Sequence, residues 1–176
     1  TGRRAARGLR AVRRMTILLE AKNLSKHYRL SHGETLRAVS DVSLVVHRGE
    51  ALALVGESGC GKSTLGRTLI GLGAPSSGEV FFEGERISGL SDRALRRWRP
   101  RMQMVFQDSS STFNPRRTIG DTLAEPMRIH GRTGIAERIG ILLEQVGLSS
   151  SVLSRYPHEF SGGQRQRLNI APVSYT

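Results

Sequence analysis

Gly56-Glu57-Ser58-Gly59-Cys60-Gly61-Lys62-Ser63-Thr64 is the stretch that decides the fold. It follows five unbroken apolar residues, 51–55, and opens a segment of helical composition, 62–70, that stops at Gly71-Leu72-Gly73. A run that short and that apolar reads as a strand buried on both faces of a parallel sheet. Two glycines, a lysine and a hydroxyl residue at this spacing, between strand and helix, read as a phosphate loop. The glycines let the backbone curl so that successive N–H groups turn onto phosphate oxygens, and the helix N-terminus adds a partial positive charge. Gly56, Ser58, Gly59, Cys60 and Gly61 line the expected cradle. Lys62 is expected to reach the β- and γ-phosphates, Ser63 to ligate Mg²⁺, and Thr64 to bond the α-phosphate. Each charge-assisted hydrogen bond contributes roughly 1.5–3 kcal/mol, so several together hold a nucleotide. The competing reading, a glycine turn that caps an ordinary helix, loses because strand and helix are both in place. Cys60 reads as a small side chain that fits the loop, since no histidine lies nearby in sequence to activate it.

The totals bound the rest. A chain of 176 residues is one domain, or one domain with a subdomain. Its 38% apolar and 24% charged residues suit a globular protein, and no apolar run approaches the roughly 18 residues of a membrane helix. One cysteine excludes an internal disulfide and a cysteine-based zinc site. The net charge of +12 suggests nucleic acid until it is mapped. Residues 1–14 hold six arginines and no acid, which is half of that excess. This Arg-rich extension precedes Met15 and is expected to be disordered and outside the fold. The apolar run after it is cut by Glu20, too early for a secretory signal. What remains is a modest positive charge for a domain that binds a polyanionic nucleotide.

Along the chain, 17–21, 36–39 and 42–46 read as strands, the last with Val42, Leu44 and Val46 on one face. Arg48-Gly49-Glu50 is a turn, 79–82 a further strand, 94–98 a short basic helix ended by Pro100, and 102–106 strand-like. After Asn114-Pro115 the character changes to helices over 118–129 and 134–146. Pro126 should kink or split the first; Ile135, Ile139, Leu143 and Val146 share a face of the second. Strands first and helices later suggest a nucleotide-binding core over 15–114 and a helical subdomain, inserted after Phe106, over 115–171.

A second motif narrows the function. Phe160-Ser161-Gly162-Gly163-Gln164-Arg165-Gln166-Arg167 precedes a helix and resembles the signature of ATP-binding cassette (ABC) ATPases. The resemblance runs from about Leu18 to Ile170. Arg155-Tyr156-Pro157-His158-Glu159 before the signature, Phe106-Gln107-Asp108, Phe113-Asn114-Pro115-Arg116 and the phosphate loop itself are similar to the subgroup that powers dipeptide and oligopeptide import. The resemblance implies an α/β P-loop NTPase of ABC type: a parallel or mixed sheet core with a β-subdomain and an inserted helical subdomain. It implies ATP and Mg²⁺ as cofactors and a homo- or heterodimer with a second ABC ATPase subunit. Each ATP would lie between one subunit's phosphate loop and the other's Ser161, Gly162, Gly163 and Gln164. Gln107 matches the glutamine that senses Mg²⁺ and the attacking water, a catalytic and metal-contacting position. Tyr28 matches the aromatic that stacks on adenine, although alone it could be an ordinary strand aromatic. The implied setting is peripheral, at the cytoplasmic face of the membrane, with transmembrane permease subunits and a separate binding protein that delivers peptide.

The sequence departs from the family after the signature. There the family places an apolar strand ending in Asp-Glu, which supports Mg²⁺ and polarises water, and then a histidine. This chain has Pro172-Val173-Ser174-Tyr175-Thr176, a non-matching tail with proline where arginine is expected. Val80-Phe81-Phe82-Glu83 is no substitute, since it precedes Gln107. The expectation is therefore an incomplete, C-terminally truncated copy with very weak hydrolysis of its own and exposed central strand edges. The runner-up is a nucleotide-binding fragment without hydrolysis. A nucleic-acid role is set aside: the basic run Arg93, Arg96, Arg97, Arg99 and Arg101 has only Trp98 interleaved, which is no base-stacking platform.

Overall fold

The computed structural model describes residues 16–106 and 113–171. The chain divides into two compact units, Thr1–Leu95 and Arg96–Thr176. In the first, β1 (Ile17–Arg29), β2 (Thr35–His47), β3 (Ser77–Phe82) and β4 (Glu85–Arg86) form one sheet in the order β2-β1-β3-β4. Every pairing in it is antiparallel. Helix α1 (Lys62–Leu69) lies between β2 and β3 in sequence, and α2 (Asp92–Leu95) closes the unit.

The strands expected at 36–39 and 42–46 are one strand, β2, bent rather than broken. Asp41 sits at φ 51 and Asn23, on β1, at φ 48, a left-handed conformation that short polar side chains tolerate. The Asn23 carboxamide donates to Asp41 Oδ1 at 2.9 Å, and the Asp41 N–H donates to Ser25 Oγ at 2.9 Å. The second bond satisfies a backbone N–H that the bulge removes from the ladder, and the first ties the two left-handed residues together through their side chains. Val42, Leu44 and Val46 are half-buried and alternate with exposed Ser43 and Val45, as their period of two requires. The Arg48-Gly49-Glu50 turn is closed by Glu50, whose carboxylate accepts the His47 N–H at 2.6 Å. That bond, with the His47 ring, holds the Glu50 carboxyl below its ordinary value.

The chain has both sheet and helices, as an α/β fold requires, but the expected parallel ladder does not form among the described residues. Residues 51–55 are in no strand or helix, with Leu52 46%, Leu54 41% and Val55 94% exposed. Residues 102–106 are likewise in no strand. A strand exists only with a ladder partner, and no described strand pairs with either segment.

The second unit is helical. Helices α3 (Ile119–Ile129), α4 (Ile135–Gln145) and α5 (Gly162–Ile170) enclose a core of Ile119, Leu123, Met127, Ile139, Leu143 and Leu168. Of the expected α4 face, Ile139 and Leu143 are buried, and Ile135 and Val146 pack against the same cluster. Pro126 neither splits nor ends α3, which runs three residues past it. Its neighbours Met127, 2% exposed, and Ala124, 3% exposed, hold that turn in the core and offset the lost hydrogen bond. The short basic helix expected at 94–98 begins earlier, at Asp92, where Ser91 Oγ accepts the Ala94 N–H at 3.4 Å. Pro100 falls in a separate 3₁₀ turn, Arg99–Arg101. Among the described residues no helix is long and apolar enough to cross a membrane.

Gly78 has φ +83, and a Cβ there would lie 2.3 Å from the Asn23 carbonyl oxygen; Gly84 has φ +81 and open space. Gly84→Ala should therefore cost about 1–2 kcal/mol from conformation alone. Gly78→Ala should cost more than ~3 kcal/mol, because the clash is with backbone that cannot rotate away. Urea unfolding of the two variants separates them; equal losses contradict the β1–β3 contact.

Candidate functional site

Residues 56–61 form an exposed loop that enters α1 through Gly61 at φ +96. A Cβ at Gly61 would lie 2.0 Å from the Ala38 carbonyl oxygen of β2, so the chain can turn into α1 here only with glycine. Gly59 is also left-handed, at φ +83. The Lys62 ammonium turns back over the loop and donates to the carbonyls of Gly56 at 2.7 Å and Glu57 at 2.6 Å, with Cys60 Sγ at 3.4 Å. One cation thus ties both ends of the loop to the first residue of the helix. No side chain caps the N-terminus of α1, and its first turn carries no acid. Such a terminus presents unsatisfied N–H groups and a positive partial charge, the arrangement that takes an anion. Beside it, a cavity of about 330 Å³ is lined by Ala38, Val39, Leu54, Val55, Gly61, Lys62 and four further residues.

The loop's position along the sheet follows from register. Lys26 pairs with Val39, His27 with Arg37 and Tyr28 with Leu36. Ala38, which receives Gly61, therefore sits level with Lys26 and His27. Tyr28 is the next residue along β1 and is 44% exposed. The Lys26 Nζ lies 5.0 Å from the Tyr28 ring centroid and donates to the Ala74 carbonyl at 2.7 Å. Sequence reading passed over Lys26; its one signal was a cation two residues before an aromatic on the same strand.

The signature lies in the helical unit. Ser161 is the N-cap of α5: its Oγ accepts the Gln164 N–H at 3.3 Å, while its own N–H donates to Gln164 Oε1 at 3.1 Å. This reciprocal pair is a capping box. Gly162 and Gly163 are exposed, and a Cβ on either would meet nothing within 4 Å. Glycine inside a helix is about 1 kcal/mol less favourable than alanine, and nothing in the helical unit demands it at these positions. Leu168 and Ala171 bury the other end of α5. The Asn169 carboxamide, 9% exposed, donates to the Phe106 carbonyl at 3.1 Å. Upstream, the Arg155 guanidinium lies 4.4 Å from the Phe160 ring centroid. Gln107 falls outside the described residues, as do 1–14 and the tail 172–176.

Among the described residues no cluster of three or more His, Cys, Asp or Glu side chains could hold a metal ion. The exposed Ser63 hydroxyl in the first turn of α1 is the kind of ligand that suits Mg²⁺, which keeps most of its waters and needs few protein oxygens.

Comparison with known proteins bears on this arrangement. The chain is 50% identical over 163 residues to a probable peptide ABC transporter ATP-binding protein of Sinorhizobium fredii, covering 88% of this chain and 46% of that protein. It is 48% identical over 159 residues to an oligopeptide transport ATP-binding protein of Bacillus subtilis, covering 88% and 52%. The chain thus spans about half the length of the curated relatives it matches. Among solved structures, the dimeric structure of a bacterial ABC transporter cassette aligns with a TM-score of 0.78 at 28% identity, covering 89% of this chain and 68% of that one. A dimeric post-hydrolysis state of an ATP-binding cassette bound to ADP and Pi aligns with a TM-score of 0.77, also at 28% identity. The family profile described as ABC transporter matches residues 39–176, most of the length. With its phosphate loop and capped signature helix both inside that span, the chain belongs to the ABC transporter family.

Proposed function

We propose that this chain is the ATP-binding portion of a peptide-importer subunit that couples ATP binding and hydrolysis to peptide uptake. The observation that carries the reading is the entry to α1: a glycine-only turn against Ala38, an uncapped helix N-terminus and the Lys62 ammonium drawn over the loop. Gly56, Ser58, Gly59, Cys60 and Gly61 would offer backbone N–H groups to phosphate oxygens, Lys62 would bind the β- and γ-phosphates, and Thr64 the α-phosphate. Ser63 would ligate Mg²⁺, which when bound neutralises charge on the transferred phosphoryl group. Tyr28 would take the adenine ring, one residue along the sheet from the point where Gly61 docks. Gln107 is proposed to order water at the metal.

The exposed Gly162-Gly163 step supports a partner. Ser161 and Gln164 satisfy one another within the chain, so the uncluttered glycine N–H groups are what α5 offers outward. We assign them to a nucleotide held by a second ATPase subunit, in a complex with permease subunits at the cytoplasmic face of the membrane. Peptide specificity belongs to a separate binding protein, consistent with the peptide and oligopeptide transport named for the relatives.

Two measurements test this. Lys62→Ala should weaken Mg²⁺-ATP binding at least tenfold by calorimetry, the loss of one charge-assisted bond of roughly 1.5–3 kcal/mol. Unaltered affinity overturns the phosphate assignment. Gly163→Ala should stabilise α5 by up to about 1 kcal/mol, while Gly163→Leu should abolish ATP-dependent dimerisation measured by light scattering on the full-length subunit. ATP-dependent dimers that survive the leucine remove the signature from the interface.

A further inference from the structure

We propose that Lys26 is a positioning residue for the nucleotide base, one that holds the Tyr28 ring with a single face open to adenine; the inference rests on the reading of Tyr28 given above. An exposed tyrosine near a strand end has free rotation about its side-chain bonds, and fixing it on binding costs affinity. Tyr28 carries one contact that restricts this freedom. The Lys26 ammonium lies 5.0 Å from the ring centroid, within cation–π range. That ammonium is itself anchored, since it donates to the Ala74 carbonyl at 2.7 Å. The anchor is firm because the neighbouring backbone is stitched to the same loop: the His27 N–H donates to Ser76 Oγ at 2.9 Å, and the Ser76 N–H to the Ser25 carbonyl at 2.8 Å.

The consequence is chemical as well as steric. A cation on one face of a phenol ring draws electron density toward itself. The opposite face then suits the electron-rich π surface of a purine. Lys26 covers one side, and Tyr28 as a residue is 44% exposed, which leaves room for a ligand at the ring. Ala74 follows the Gly71-Leu72-Gly73 stop of α1, the helix that opens at Lys62. One loop thus connects the base platform to the far end of the phosphate-binding helix.

The test separates base from phosphate. Calorimetry on the full chain compares Mg²⁺-ATP with Mg²⁺-tripolyphosphate for the wild type, Lys26→Met, Lys26→Arg and Tyr28→Ala. Lys26→Met keeps an apolar stem and removes the cation. It should weaken ATP about two- to fivefold, the worth of an exposed cation–π contact, and leave tripolyphosphate unchanged. Lys26→Arg should restore most of the loss, since guanidinium also stacks on aromatic faces. If Lys26→Met weakens both ligands equally, Lys26 acts on phosphate or on the fold and the inference is overturned. If Tyr28→Ala weakens ATP while Lys26→Met does not, Lys26 alone is overturned. If Tyr28→Ala leaves ATP affinity unchanged, the assignment of Tyr28 falls and Lys26 with it. A wild type that binds neither ligand overturns the proposed function as well.

Discussion

The first unit hinges on the approach of Gly61 to the Ala38 carbonyl. A Cβ would have to sit 2.0 Å from that oxygen, so the helix can start against β2 only through a residue without one. That contact sets where α1 begins and which way its N-terminus faces. It also fixes the level on the sheet at which the loop docks, beside the Lys26–Val39 and His27–Arg37 pairs. Tyr28 is then adjacent without any further device. The bent β2, with left-handed Asp41 held by Asn23 and Ser25, is what presents Ala38 in that place. Substitutions at the bend act on the loop through this one backbone contact.

The helical unit uses glycine for a different reason. Gly61 is required by its own chain, whereas Gly162 and Gly163 have open space and ordinary helical backbone. Two residues that weaken a helix without any internal gain fit the close approach to the backbone proposed for a partner's nucleotide. The helix tolerates them because its other end is secured: Leu168 and Ala171 are buried, and Asn169 reaches the Phe106 carbonyl. Because Ser161 and Gln164 close the capping box, the helix start is ordered before any partner arrives.

Motif spacing made the phosphate loop, the signature and the α4 face legible, because each depends on local chemistry: a left-handed turn, a cap, a 3.6-residue period. The segment 51–55 was misread for a non-local reason. Its apolar composition says what it could pair with, but a ladder needs a neighbour, and no described strand provides one. Of the two outcomes expected at Pro126, a kink or a split, the split does not occur, because the rule against proline is a free-energy cost that burial of Met127 offsets. Strands 36–39 and 42–46 looked separate because Ser40-Asp41 has turn composition, and only cross-strand bonds from Asn23 and Ser25 show a bulge. Lys26 left only a weak signal, its spacing to Tyr28, since its proposed role depends on Ala74, 48 residues away.

The distribution of charge shows which force the site uses. Between residues 16 and 95, nine basic side chains face nine acidic ones, so this part of the first unit is neutral, and the six arginines of 1–14 carry that unit's whole excess. The excess of +12 lies in residues 1–14 and beyond residue 95, where twelve arginines stand against six acids. The 16–95 span therefore adds no net long-range field, and the field of the remaining excess would be screened over about 8–10 Å at physiological salt. What is left is short-range: oriented N–H groups at an uncapped helix, one ammonium on the loop, and one aromatic face beside it. Each of these depends on geometry more than on net charge. On the proposed reading their strength would rest on the backbone contact at Gly61 and on the Lys26–Tyr28 contact, and an anion would be recognised here by shape before sign.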